Sequence, residues 1–330
     1  MKKRDIINII VIFVLIAVGT FRLLNRKYTF NDTQFLMDTV VTIKIETREK
    51  NGEDIIKAAY KLMEKYENKL SFYKEGSTLR DFNESESNNL ELDEDFRQIF
   101  ELADLVYSEA DSLYDVSVGR LTELWDYDAK IVPEQESIDV ALRFIGFDKL
   151  IFSNDELIRP SGFKINLGSL AKGYIIDRTV EFLIENNVSA GYVNAGGDIR
   201  IFGQKKPLPI GIQHPRDEHN QIIDALKVQN KAIVTSGDYE RFFIIDGVRY
   251  HHILDPRTGY PSRKAVSVTV ISDSAFLADA YSTALFLLEP QKALELVESK
   301  NDLEAVILTE ENGEIKKFES SGIKNYRNEK

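Results

Sequence analysis

Three short segments between residues 235 and 283 collect side chains suited to phosphate and hard-metal chemistry. They are Thr235-Ser236-Gly237-Asp238, His251-His252-Ile253-Leu254-Asp255-Pro256 and Asp279-Ala280-Tyr281-Ser282-Thr283. Asp279 and Thr283 stand four residues apart, so on a helix they share a face. A carboxylate and a hydroxyl at that spacing can hold a hard divalent cation, with waters and carbonyls completing the shell. A zinc site does not fit: the chain has no cysteine, and no histidine pair stands at helical spacing. Taken alone, an Asp at this spacing more often caps a helix or faces water. Its neighbours Ala278, Ala280, Ala284, Leu285 and Phe286 argue instead for a partly buried charge that needs a partner.

Two glycine clusters add to this set. Asn166-Leu167-Gly168-Ser169-Leu170-Ala171-Lys172-Gly173 leads from a strand into a helix. Glycines there let backbone N–H groups approach an anion, and Lys172 adds a full charge. The spacing is neither a Walker A loop nor a dinucleotide fingerprint, and taken alone the cluster reads better as a tightly packed helix start. Asn194-Ala195-Gly196-Gly197-Asp198 lies between apolar stretches and reads as a turn, a bulge or a flat ligand-facing backbone. His252 has the near-neutral pKa of a proton acceptor, whereas strand alternation points His251 the other way. His214 and His219 sit in a polar loop and read as structural. Tyr73 and Trp125 offer faces for a planar ring, although aromatics are more often core.

The chain behind these residues has 330 residues, 43% of them hydrophobic, enough for one large domain or two intimate ones. Its net charge is −12. Residues 1–27 carry six basic side chains and one acidic, so the remainder stands at −17. So acidic a body lacks the basic stripes of a nucleic-acid binder, and no nucleic-acid partner is expected. An anionic ligand must be held by local devices: backbone N–H groups, a lysine or two, a bound cation. Without cysteine, disulfides, thiol catalysis and lipid attachment through an N-terminal cysteine are excluded. Lys2, Lys3 and Arg4 precede an apolar run over residues 6–20 that extends past Arg22. Residues 1–27 are therefore expected to be a membrane anchor or signal segment. The protein is expected at the cell membrane, with the body, residues 28–330, on the extracytoplasmic side.

Hydrophobic periodicity supplies the elements that must position the chemistry. Residues 25–33 read as a polar tether and 35–46 as a strand. Helices are expected at 54–70, 96–108, 172–186, 275–288 and 291–297, and 114–124 as a loop entering a helix. Residues 84–95 read as turn. Short strands are expected at 149–152 and 162–167 around an Asn154-Asp155 turn. Further strands are expected at 191–202, 208–213, 226–235, 242–245, 267–271 and 305–308. The Asp246-Gly247 and Asn312-Gly313 turns favour an α+β fold, with mixed or antiparallel sheets flanked by helices.

Taken in order, these motifs resemble one family, the ApbE flavin transferases, over roughly residues 35–308. The resemblance rests on Met37-Asp38-Thr39, on Ser71-Phe72-Tyr73 with Ser77, Leu79 and Asn83, and on Tyr114-Asp115-Val116-Ser117-Val118-Gly119 with Leu124-Trp125. It continues through both glycine clusters. Its most specific parts are the His252-Ile253-Leu254-Asp255-Pro256 run, continuing to Thr258-Gly259 and Pro261, and Ala278-Asp279-Ala280 with Ser282-Thr283-Ala284. Asn166 and Ser169 depart from the family's usual Asp and Gly. A role needing negative charge at 166 is therefore not carried over.

The resemblance implies a T-fold-related ApbE architecture and an enzyme that moves FMN from FAD to a Thr or Ser hydroxyl of an acceptor protein, releasing AMP, with Mg²⁺. It implies metal ligands at Asp279, Thr283 and the Ala171 carbonyl. It places Met37, Tyr73, Asp115, Ser117, Lys172, Ser236 and Asp238 around FAD, with His252 as the catalytic base. A metal-dependent FAD pyrophosphatase, a non-enzymatic flavin-binding surface protein and a structural surface protein are the competing readings.

Overall fold

The computed structural model describes residues 4–5, 8, 12–16, 20, 26–153, 155–217 and 221–327. Its backbone is an eight-stranded antiparallel sheet whose spatial order follows the chain. The strands are β1 (Tyr28–Leu36), β2 (Thr39–Thr47), β3 (Val188–Ala195), β4 (Asp198–Phe202), β5 (Ala232–Gly237), β6 (Ser267–Ser272), β7 (Leu303–Glu311) and β8 (Glu314–Glu319). The helices are α1 (Gly52–Leu70), α2 (Thr78–Glu84), α3 (Glu94–Glu109), α4 (Gly119–Leu124), α5 (Gln135–Leu142), α6 (Ala171–Glu185), α7 (Ala275–Leu287) and α8 (Pro290–Glu298). The α+β expectation holds, and every named strand pair is antiparallel.

Alternation along the strands builds two cores. On β5, Ala232 and Val234 face the helices while Ile233 faces away. The larger core lies between the sheet and α1, α3, α6 and α7. It takes Val41, Ile43 and Ile45 from β2 at the strand period of two. The opposite face buries Ile201, Ile233, Ile271, Val306 and Leu308 under a hairpin of Leu208–Gln213 and Ile222–Val228. A third, aromatic cluster sits off the sheet, where Trp125 stacks at 5.7 Å on Tyr250 of the hairpin Phe242–Ile245/Val248–His251. Helix α7 is buried nearly all round and lies in the middle of this structure. Its start is fixed by Ser274, which accepts from Leu277 N, and by Asp177 of α6, which accepts from Ala275 N and Phe276 N.

Several expected elements divide or disappear. Residues 28–33 belong to β1 rather than to a tether. The strand read over 35–46 is a hairpin that turns at Met37 and Asp38, both with positive φ (54° and 55°). A turn of this kind favours Gly or Asn, so the sequence carried no warning of it. The run 191–202 likewise folds back at Gly196-Gly197, and 226–235 breaks between Val228 and Ala232. Residues 162–167 form no strand beyond a single bridge from Lys164 to Val118. Helices α2 and α5 were not expected, being only two turns long. Asn154 and His219 lie outside the described residues, as does most of the expected anchor over 1–27. Among the described residues no helix is long and apolar enough to cross a membrane.

Candidate active site

Helices α6 and α7 cross closely enough to join the two most chemical segments. Gly173 N donates to Asp279 Oδ2 at 2.8 Å. Across from α7, Ser236 at the end of β5 places its Oγ 2.7 Å from Ser282 Oγ and 3.2 Å from Thr283 Oγ1. Lys172, one residue into α6, reaches back to β4 and pairs with Asp198 at 2.5 Å. Asp198 Oδ1 also accepts from Thr235 N. A cavity of about 260 Å³ opens over this junction. The loop before α6 forms one wall, where Gly168 N donates to Asn166 Oδ1 and Ser169 Oγ donates to Tyr114 Oη. Asn166 therefore serves as a turn-shaping amide.

The electrostatics of this cavity are unbalanced. Asp115, Asp198, Glu240 and Asp279 line it, against Lys172 and Arg241. Burial, and then the neighbouring Asp198, push Asp279 up to about 7 despite Lys172. Loss of hydration raises Glu240 to about 7 as well, with Asp198 and Asp279 adding to it against the pull of Lys172. Burial alone would lower Lys172, but Asp198, Asp279 and Glu240 outweigh it and its pKa is raised. An excess of carboxylates around one lysine favours a cation. Among the described residues no three His, Asp or Glu side chains converge as metal ligands. The available set is one buried carboxylate, clustered hydroxyls and the backbone where α6 begins. That set fits Mg²⁺, which binds through one or two carboxylates and completes its shell with waters and substrate phosphates.

The two histidines separate as strand alternation requires. His251 is buried, with Nε2 2.8 Å from Ser262 O and Nδ1 accepting from Ile253 N. His252 lies on the cavity, its backbone N donating to Arg241 O at the base of the hairpin. Burial of its imidazole, then the neighbouring His251 and Lys172, push it down to about 4. It is therefore neutral at physiological pH, a weaker base than an ordinary histidine. His214 is tied up locally, its Nδ1 accepting from Arg216 N.

Not every residue expected at the site reaches the cavity. Tyr73, Asp115, Lys172, Ser236, His252, Asp279 and Thr283 line it; Ala171, the first residue of α6, is buried and is not among the lining residues. Asp115 is committed to its own loop, accepting from Ser117 N and Oγ and from Phe147 N. Ser117 is fully buried and does not line the cavity; its Oγ donates to Asp115 and accepts from Gly146 N. Met37 stands in the β1–β2 turn, off the cavity, with its N bound to Glu67. Asp238 does not face the cavity either. The chain turns after Gly237, and Asp238 forms a two-pronged pair with Arg216 at 2.7 Å on each prong. Trp125 is core, its indole N donating to Gly259 O. Sequence reading missed Glu240, Arg241, Thr122, Tyr127 and the direct role of Asp198. Only the proximity of Glu240 and Arg241 to the Thr235–Asp238 segment pointed to them.

Comparison with known proteins places these residues in context. The chain matches the sequence model of the ApbE family over residues 37–307. It is 32% identical over 269 residues to an FAD:protein FMN transferase of Haemophilus influenzae, covering 77% of this chain and 78% of that one. It is 29% identical over 292 residues to one of Klebsiella pneumoniae, covering 86% and 90%. Its fold superposes on the crystal structure of the ApbE protein from Thermotoga maritima with a TM-score of 0.83 at 35% identity, covering 92% of this chain and 100% of that one. On the flavin transferase ApbE from Vibrio cholerae the TM-score is 0.81 at 25% identity, with 92% and 100% covered.

Proposed function

The chain belongs to the ApbE family, and from this premise we propose that it is an FAD:protein FMN transferase. It moves FMN from FAD to a Thr or Ser hydroxyl of an acceptor protein with Mg²⁺ and releases AMP. The observation that carries this reading is the meeting of Asp279 and Thr283 on α7 with the Lys172 loop of α6, in one cavity with His252.

The acceptor oxygen attacks the phosphorus on the FMN side of the pyrophosphate. The bond from that phosphorus to the bridging oxygen breaks, AMP leaves with the bridge, and the hydroxyl proton passes to a base. Asp279, Thr283 and the Ala171 carbonyl would hold Mg²⁺, which when bound would neutralise charge on the pyrophosphate. Lys172 holds positive charge near the phosphates, balanced by Asp198. Ser236 orients the Thr283 hydroxyl. His252, neutral and open to the cavity, takes the proton at a ring nitrogen. Tyr73 offers an exposed ring face for a flat ring of FAD.

Incubating the protein with FAD, Mg²⁺ and a candidate acceptor tests the reading directly. The acceptor should gain the mass of FMN less water, and AMP should appear in equal amount. EDTA should abolish both, and Mg²⁺ should restore them. FMN and AMP released at the same rate without an acceptor would instead make the protein an FAD pyrophosphatase. Binding of FAD with no turnover would make it a flavin carrier.

The proposal extends to location. Lys2, Lys3 and Arg4 ahead of the apolar run support a body on the outer side of the cytoplasmic membrane, tethered by residues 1–27. Protease added to intact cells stripped of any wall should cut the body; full protection would count against this placement.

A further inference from the structure

Arg241 is the cavity cation that no part of the mechanism above uses. It follows Glu240 at the base of the hairpin Phe242–Ile245/Val248–His251, and its backbone O accepts from His252 N at 3.1 Å. Its guanidinium lies 5.3 Å from the ring centroid of Tyr73 and 5.2 Å from that of Tyr127. Among the described residues it makes no ion pair with a carboxylate. Lys172, the other cation of the cavity, is held 2.5 Å from Asp198. So of two positive side chains facing the cavity, one is neutralised and the other is held by two tyrosine rings and a hydrogen bond to the Tyr73 side chain.

Those holds differ greatly in strength. An exposed cation–π contact is weak, and Arg241 is solvent-exposed. A guanidinium on a phosphate makes two parallel charge-assisted hydrogen bonds, the strongest pairing open to arginine. A dianionic pyrophosphate entering a cavity with excess carboxylates therefore outcompetes the rings for Arg241. The exchange also uncovers the face of Tyr73 that the guanidinium shields.

We propose that Arg241 is a phosphate-binding residue of this site, stored on Tyr73 and Tyr127 and transferred to the pyrophosphate as FAD enters. This rests on the flavin-transferase reading for the identity of the ligand, but not for the anion chemistry. It makes ring stacking and phosphate capture two consequences of one side-chain movement.

The test compares ligands that share a ring or a phosphate. Affinities of wild type, Arg241→Gln and Arg241→Lys are measured for FAD, riboflavin and ADP, with Mg²⁺ and with EDTA, alongside melting curves. Arg241→Gln should weaken FAD and ADP at least tenfold in both conditions and leave riboflavin within about twofold. Arg241→Lys, which keeps the charge but not the fork, should recover part of the loss. Equal weakening of FAD and riboflavin would show that Arg241 only holds the tyrosine rings, and would overturn the proposal. Unchanged FAD and ADP affinity would overturn it too. A wild-type protein that ignores FAD and riboflavin but binds ADP through Arg241 would sink the flavin reading and leave the anion site standing.

Discussion

Gly173 and Asp279 are in direct contact across the α6–α7 crossing. The N–H of Gly173 donates to Asp279 Oδ2 at 2.8 Å, and a Cβ at 173 would stand 2.7 Å from the Asp279 Cβ and 2.3 Å from the Ala275 carbonyl oxygen. The backbone at the start of α6 thus orients the Asp279 carboxylate, and the absence of a side chain at 173 allows the helices to approach. Gly173→Ala must push α7 away. We expect a loss of about 1–3 kcal/mol, as for other overpacked cores, with a weaker response to Mg²⁺. Urea unfolding and a Mg²⁺ titration of activity check this; a variant unchanged in both would show that the crossing has slack.

Asp279 should cost stability in the absence of metal. Its carboxyl is raised from the ordinary value to about 7, so between roughly pH 4 and 7 the folded protein holds a proton that the unfolded chain has released. Stability therefore falls as pH rises through that window and stays low above it. Asp279→Asn keeps the shape and removes the charge. Without metal it should be more stable than wild type at pH 8, by up to about 4 kcal/mol at ~1.4 kcal/mol per pH unit. The difference should vanish near pH 4, and transfer activity should be lost. Melting temperatures across pH, with EDTA present, decide the point, and a variant less stable than wild type at pH 8 would refute it.

The pH profile of transfer should separate His252 from the carboxylates. His252 is pushed down to about 4, so it stays neutral and able to accept a proton throughout pH 5–8. The acid limb of the rate then belongs to Asp279, which must lose its proton before a cation binds, and Glu240 titrating beside it adds negative charge in the same range. That limb should lie near 7 at low Mg²⁺ and move to lower pH as Mg²⁺ rises. His252→Ala should lower the rate by ~10²–10⁴-fold, the usual worth of a positioned base, without moving the limb or weakening FAD. A well-folded His252→Ala protein with normal transfer would remove His252 from the mechanism.

Asp238 should prove structural. It is buried and paired on both oxygens with Arg216, which also pairs with Glu310 at 2.8 Å. Asp238→Ala leaves that guanidinium short of charge and should cost about 3 kcal/mol. Affinity for FAD should change less than threefold when measured well below the melting temperature. A large loss of FAD affinity in a stable variant would return Asp238 to the ligand site.

The sequence by itself determined the chemistry and its order along the chain. Asp279 and Thr283 share a helix face because 3.6 residues make a turn, and His251 and His252 oppose each other because strand side chains alternate. The apolar setting of Asp279 already implied a buried charge. The motifs around Gly168, Gly196, Leu254 and Ala278 sufficed for the family resemblance, and the turn residues and the order of elements for the α+β class.

Tertiary structure alone decided which residues share the cavity. Asp198 meets Lys172 because β4 lies beside β5 and below α6, a pairing between segments with no common period. Glu240 and Arg241 return to the cavity, while Asp238 leaves it, because the chain turns after Gly237. Local hydropathy does not register that turn. Met37 and Ser117 are taken off the cavity by a positive-φ hairpin and by a self-satisfied loop, neither marked by glycine at the turning residue. Local periodicity fixes which way a side chain points relative to its own strand or helix. What it points at is set by contacts between segments tens of residues apart, and these form only when the sheet and its covering helices pack together.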